Sequence, residues 1–285
     1  MPAEPPVASP ATLADAYALI QREPHTPIAG GTDLMVRITG ELGSIPERIV
    51  DLARLDDLRG ISLERSAVAI GALSSYTDIR RSAICREHLP ALVEAAATVG
   101  AAQIQNRGTL GGNIANASPA GDTLPVLIAM DAAIVVGSVR GERTIPADDF
   151  WTGYRTTALA PDELILRIRV PLVPGRETRF RKVGTRRAQA ISKVVAAVSW
   201  RDHGRSSGWT QVRVAYGSMA PTPIRVRQVE AILEGAHPTP ETADKAAAML
   251  AATLQPIDDV RSTADYRRMV AARVLHRILR DAGGW

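Results

Sequence analysis

The chain has 285 residues, 46% hydrophobic and 22% charged, a balance that excludes a disordered chain and is long enough to bury a sizeable core. One cysteine, Cys85, excludes a disulfide framework, a thiolate zinc site and an iron–sulfur cluster held by this chain alone, and no apolar run approaches the ~18 residues of a membrane span. The net charge of +4 is unevenly spread: Arg176 to Arg213 holds ten Lys or Arg against two acids, so this block is +8 and the remainder −4.

The first ten residues, MPAEPPVASP, lack a positive segment ahead of an apolar stretch, so the expected location is the cytoplasm. Ser9 and Pro10 predict the cap of a helix running to Arg22, with Leu13, Tyr17 and Ile20 at helical spacing. Pro27 to Ala29 reads as a short strand, Gly30-Gly31 as a turn, and Thr32 as the N-cap of a second helix. Ile49 to Leu52 and the alternating run Ala67 to Leu73 read as strands, and a helix is expected from His88 to Val99. A Gly-rich polar stretch, Gln103 to Asp122, reads as a loop ahead of an apolar helix, Thr123 to Met130. Strands follow over Ala132 to Val139 and Glu163 to Val170. Beyond Pro171 come three strands, Arg179 to Val183, Lys193 to Trp200 and Thr210 to Tyr216, then helices starting near Pro223, Thr239 and Thr263. Strands followed by helices indicate an α+β layout. The expected lobes are 1–54, 55–175 and 176–285.

Two glycine loops carry the chemistry. In Ala29-Gly30-Gly31-Thr32-Asp33-Leu34, paired glycines let backbone N–H groups approach an anion that a Cβ would obstruct, and a helix start adds a positive dipole end. A tight turn needing positive φ explains the same residues. In the second loop the amides of Gly111 and Gly112, the Thr109 hydroxyl and the Asn113 amide are suited to surround a diphosphate, and Asp122, an acceptor when ionised, suits sugar or ribityl hydroxyls. Its alternative is a surface loop held by its own Asn and Ser hydrogen bonds. Neither a dinucleotide fingerprint of the G-x-G-x-x-G type nor a P-loop occurs.

AGGTDL, followed about 75 residues later by GTLGGNIANASPAGD, resembles the FAD-binding medium subunits of the molybdenum hydroxylases, the xanthine dehydrogenase and aerobic carbon monoxide dehydrogenase family. The likeness continues in order through FWTGYRTTALAPDELILRIRVP, FRKVGTRRAQAISKV, YGSMAPTPIRVRQVEAILEG and PIDDVRSTADYRRMVAARVL. It implies a vanillyl-alcohol-oxidase (PCMH)-type FAD-binding fold of two α/β subdomains, 1–54 and 55–175, plus a C-terminal α+β domain, 176–285, with a three-stranded sheet and helices. By motif it puts Ala29, Gly30, Gly31, Thr32, Asp33 and Leu34, with Thr109, Gly111, Gly112 and Asn113, at the pyrophosphate of FAD. Asp122 would meet the ribityl or ribose hydroxyls, Ile165 would line the cofactor and Lys182 would lie near the flavin ring. No catalytic acid or base and no metal ligand is implied on this chain. The resemblance also implies a large partner carrying the molybdenum cofactor and a small partner carrying 2Fe–2S clusters, in a dimer of heterotrimers.

Reduced flavin is anionic over N1 and the C2 carbonyl, so a nearby cation stabilises it, and Lys182 fits that role with Arg181 as its rival on the opposite strand face. An exposed lysine on a basic strand is the plainer account. The five histidines show no metal-ligand spacing, Cys85 reads as buried filler, and Tyr154 suits either the flavin or core packing. Some relatives carry an acidic pair after the arginine pair. Here Arg186-Arg187 is followed by Ala188-Gln189-Ala190, which leaves the final acceptor open between NAD, oxygen and another carrier. Two other readings stand beside the electron-transfer subunit: a free-standing flavin oxidoreductase of the same fold, and a non-redox module using the +8 block to bind nucleic acid or an acidic protein. No nucleic-acid signature accompanies that block.

Overall fold

Short strands punctuated by Gly and Pro close into separate sheets in the computed structural model, which describes residues 5–40, 44–186, 188–202 and 208–285. Arg187 and His203 lie outside the described residues. The first segment runs β1 (Val7–Ala8), α1 (Leu13–Arg22), β2 (Thr26–Ile28), α2 (Leu34–Thr39) and β3 (Ile49–Asp51), with the strands parallel in the order β1-β3-β2. The cap of α1 is Thr12 rather than Ser9: its side chain accepts the Asp15 N–H at 3.1 Å, so the helix opens two residues beyond Pro10. Likewise Asp33, not Thr32, sits at the start of α2, and it makes no capping bond.

The second segment holds β4 (Ile61–Leu63), β5 (Ala67–Gly71), α3 (Tyr76–Arg81), α4 (Ala83–His88), α5 (Pro90–Thr98), α6 (Ala102–Arg107), α7 (Leu110–Asn116), α8 (Leu124–Ala129), β6 (Ala133–Ser138), β7 (Gly141–Pro146), α9 (Ala147–Phe150), β8 (Trp151–Gly153), β9 (Thr156–Thr157) and β10 (Leu164–Pro171). Its main sheet is antiparallel, in the order β4-β5-β10-β6-β7. Strand alternation divides the apolar side chains between two cores. Ile134, Val136, Ile168 and Val170 join the helices in one, while Val135, Leu164 and Leu166 meet Ala16 and Ile20 of α1 in the other. The helix expected from His88 to Val99 is α5, opened by Pro90 and preceded by α4, which was not expected. One expectation changes here. The stretch read as a loop, Gln103 to Asp122, contains α6 and α7, broken at Gly108 and restarted by the Thr109 cap.

The third segment holds β11 (Arg176–Val183), β12 (Val194–Arg201), β13 (Thr210–Gly217), β14 (Ile224–Arg225), α10 (Arg227–Leu233), α11 (Pro240–Thr253) and α12 (Ala264–Gly283). The expected three-stranded antiparallel sheet gains β14, because Ile224 and Arg225 pair with Tyr216 and Ala215 where a helix was read to start. One sheet face (Phe180, Val195, Ala197, Ala215) packs into the core of the second segment. The other (Val194, Ala196, Val198, Trp200, Val214, Tyr216) is covered by the helices. Thr239 and Thr263 cap α11 and α12 as expected.

Three cations of the basic block, Arg176, Lys182 and Arg213, are engaged within the fold. Asp131 accepts from Arg176 at 2.9 Å and from Arg213 at 2.8 Å, Arg176 also donates to the Met130 carbonyl, and Lys182 pairs with Asp122. These bonds tie the third segment to the second. Among the described residues, no helix is long and apolar enough to cross a membrane, and no cluster of His, Cys, Asp or Glu is suited to hold a metal ion.

Asp259 organises the turn before α12. Burial raises its carboxyl, but the N–H groups of Arg261 and Ser262 and the Arg267 guanidinium outweigh burial and hold it at about 2, against an ordinary 3.8. A depressed acid gives stability that is complete above pH 3.8 and lost as pH falls through about 2. Asp259→Asn is expected to flatten this acid limb in thermal melts against pH. At neutral pH it should cost roughly 3 kcal/mol, because the buried Arg267 loses its carboxylate; an unchanged acid limb contradicts the assignment.

Candidate functional site

Backbone reaches backbone where the two glycine loops meet. A Cβ on Gly30 would collide with the carbonyl oxygen of Arg107, and one on Gly111 would stand 2.7 Å from Ala72. Gly31 has φ +74°, a conformation that favours glycine. The convergence leaves a cavity of about 290 Å³ lined by both loops, by Ala72, Leu73 and Tyr76, and by Leu52, Leu159, Leu164 and Ile165. Its lining thus combines apolar side chains with backbone donors, the composition of a small-molecule site.

The donors are not where the residue pattern alone suggests. Gly111 N–H donates to the Ala72 carbonyl at 2.9 Å, Gly112 N–H to Thr109 Oγ1 at 3.0 Å, and Asn113 N–H to the Thr109 carbonyl at 3.0 Å. The second loop's amides are thus occupied as a helix cap. Among the described residues, the N–H groups of Gly30, Gly31, Thr32 and Asp33 have no partner. They form a run of free donors facing an anion-sized space. The second loop adds side chains instead. The Thr109 hydroxyl accepts from Gly112 and keeps its own proton to donate, and Asn113 accepts from Thr123 at 2.6 Å while its amide hydrogens stay free. At Gly112 a Cβ would meet only Thr109 Oγ1 within 4 Å, so the absent side chain keeps the cavity open.

Of the residues proposed from sequence, Ala29, Gly30, Gly31, Thr32, Asp33, Leu34, Thr109, Gly111, Gly112, Asn113 and Ile165 line this cavity. Asp122 and Lys182 are not among its lining residues. They pair with each other at 2.5 Å, both side chains buried, and Lys182 also donates to the Thr98 carbonyl at 3.0 Å. Lys182, not Arg181, is the inward side chain; Arg181 turns back to the Phe180 carbonyl. Burial raises the Asp122 carboxyl against the opposing pull of Lys182, and Asp122 Oδ1 is buried without a partner. Burial, with the charges of Asp33 and Asp122, raises the Tyr76 phenol.

Among the lining residues that the sequence did not single out are Tyr76, Arg37 and Asn116. Asn116 links the loops to the β8–β9 turn, donating to Asp33 at 3.0 Å and accepting from Arg155 at 2.9 Å. A polar residue at the end of a Gly-rich helix was the available signal. Glu163, also in the lining, is held well below the usual carboxylate range by paired hydrogen bonds from Arg143 and is already satisfied. Cys85 is buried, and burial raises its thiol, so it is no nucleophile. Tyr154 is exposed, away from any core role.

Gly30→Ala tests the close approach. The added methyl forces the loops apart at an expected cost of about 1–3 kcal/mol in thermal denaturation; a melt equal to the unsubstituted protein's contradicts the contact.

Two family models match end to end. The model of the FAD binding domain in molybdopterin dehydrogenase matches residues 3–173, and that of the CO dehydrogenase flavoprotein C-terminal domain residues 179–282. The carbon monoxide dehydrogenase medium chain of Hydrogenophaga pseudoflava is 34% identical over 256 residues, covering 90% of this chain and 88% of the relative. The xanthine dehydrogenase FAD-binding subunit of Escherichia coli O157:H7 is 31% identical, covering 95% and 94%. The structure of the Hydrogenophaga pseudoflava carbon monoxide dehydrogenase lacking the Mo-pyranopterin moiety of its molybdenum cofactor aligns with a TM-score of 0.92 at 32% identity, over 97% of this chain and 96% of that one.

Proposed function

We infer, from the premise that this chain belongs to the FAD-binding subunits of the molybdopterin dehydrogenases, that it is the electron-transfer flavoprotein of a molybdenum hydroxylase complex. The observation that carries this reading is the convergence of two glycine loops on one cavity with a run of unpaired amides. The cavity passes the test of fit for FAD: free donors for a diphosphate, an open face at Gly112 where a Cβ would intrude, and apolar lining side chains suited to a flat base.

FAD, when bound, supplies a redox centre that takes up and releases electrons. Gly30, Gly31, Thr32 and Asp33 would hold its diphosphate through backbone N–H groups, with Thr109 and Asn113 donating from the facing loop. Arg37, on the exposed rim, offsets the anionic charge. Ile165 with Leu159 and Leu164 would exclude water from the cofactor. Asp122 would meet ribityl hydroxyls with Oδ1, the oxygen that Lys182 leaves free, and Lys182 would favour negative charge on the ring from β11. Because Lys182 is paired with Asp122, the charge it would present to the ring is partly neutralised. The boundaries 54 and 175 accord with a separate sheet in each segment.

The substrate would be oxidised on a large partner carrying the molybdenum cofactor, and electrons would arrive through 2Fe–2S clusters on a small partner, within a cytoplasmic dimer of heterotrimers. The terminal acceptor is NAD, oxygen or another carrier. A non-redox module binding through the basic block is less well supported, because three of its charges are engaged internally at Asp131 and Asp122.

Adding FAD to the purified apoprotein is expected to give a bound flavin spectrum and a raised melting temperature; no bound flavin contradicts the reading. In the FAD-loaded protein, Lys182→Met is expected to lower the two-electron potential by on the order of 30 mV, about tenfold in the reduction equilibrium. A dye-equilibrated reductive titration reads it, and an equal or higher potential contradicts the role of Lys182.

A further inference from the structure

Tyr76 opens α3 and is only 3% exposed; among the described residues its hydroxyl has no hydrogen-bond partner, and the oxygen keeps some accessible surface. A phenol in a residue this buried normally finds a partner. Its ring lines the cavity. It is also fixed in place from several sides. Its N–H donates to the Gly108 carbonyl at 3.3 Å, Ser75 and Asp78 form a reciprocal capping box, and Ser75 bridges to Thr109. The same Gly108 shows where the ring stands. A Cβ there would lie 2.9 Å from Tyr76 Cε2 and 3.3 Å from Thr32 Oγ1, so ring and first glycine loop flank one point.

We propose that the Tyr76 hydroxyl donates a hydrogen bond to a diphosphate oxygen of the bound dinucleotide, facing the free amides of Gly30 to Asp33. The proposal rests on the FAD reading above. Phosphate is favoured over the base because Tyr76 sits beside Thr32 and Gly108, where the two glycine loops meet. Burial, with the charges of Asp33 and Asp122, pushes the phenol's ionisation far above its ordinary value, so the group stays a neutral donor and never repels the anion. The pairing also explains a tyrosine at a site where packing alone would accept phenylalanine.

Tyr76→Phe separates the two roles. The expected result is an apoprotein that melts at the same temperature or higher, FAD affinity about tenfold weaker by titration, and displaced phosphorus NMR resonances of the bound diphosphate. Unchanged affinity with unchanged phosphorus resonances overturns the proposal. So does a change confined to the flavin's visible spectrum, which would put the hydroxyl at the ring. If the variant does not fold, the unsubstituted protein labelled at the tyrosine phenol carbon supplies the readout: the Tyr76 resonance moves on adding inorganic diphosphate, and its failure to move overturns the assignment. Absence of FAD binding by the unsubstituted protein overturns the FAD reading itself, whereas normal FAD binding with an indifferent Tyr76→Phe overturns this inference alone.

Discussion

The approach of Gly30 to the Arg107 carbonyl governs the rest of the site. No side chain fits between those two backbones, so the first α/β segment and the helical face of the second meet without a layer of side chains between them. Beside that contact Gly31 has positive φ, and the amides from Gly30 to Asp33 bond to nothing of the chain's own. These donors are half-buried or, at Asp33, exposed, so they stay accessible to a ligand. The apolar side chains of the same lining, Ile165 among them, limit what binds there.

Charge is arranged around the same junction. Arg176 and Arg213 of the basic block converge on Asp131 and fasten the C-terminal sheet to the carbonyl end of α8, while Lys182 reaches across to Asp122 and the end of α5. Both pairs cross from one segment to the next. Their net effect is orientation: a buried ion pair contributes little stability compared with apolar packing, but it fixes register between two surfaces. Lys182 can therefore be delivered to a fixed place.

Most elements were readable because strand alternation and Thr caps act locally. Thr239 and Thr263 start helices through their own side chains, and Ile134 and Val135 point to different cores because successive strand residues must. What escaped was set by distant partners. The Gly108–Thr109 region folds into two helices because Gly111 N–H and Leu110 N–H find the Ala72 and Ser74 carbonyls, which no local pattern announces. For the same reason the amides of the second loop are bonded within the chain, while those from Gly30 to Asp33 are not. Nothing local marks Tyr76, since SSYTD is a capping box whether or not its tyrosine faces a cavity. The pairing of Lys182 with Asp122 joins residues 60 positions apart, beyond the reach of spacing.

Amide hydrogen exchange with and without FAD tests the central claim directly, because it reads the backbone donors themselves. The account predicts slowed exchange at Gly30, Gly31, Thr32 and Asp33 when FAD is added, with Gly111, Gly112 and Asn113 little changed because their N–H groups are already bonded. Protection confined to the second loop, with the first unaffected, would contradict it.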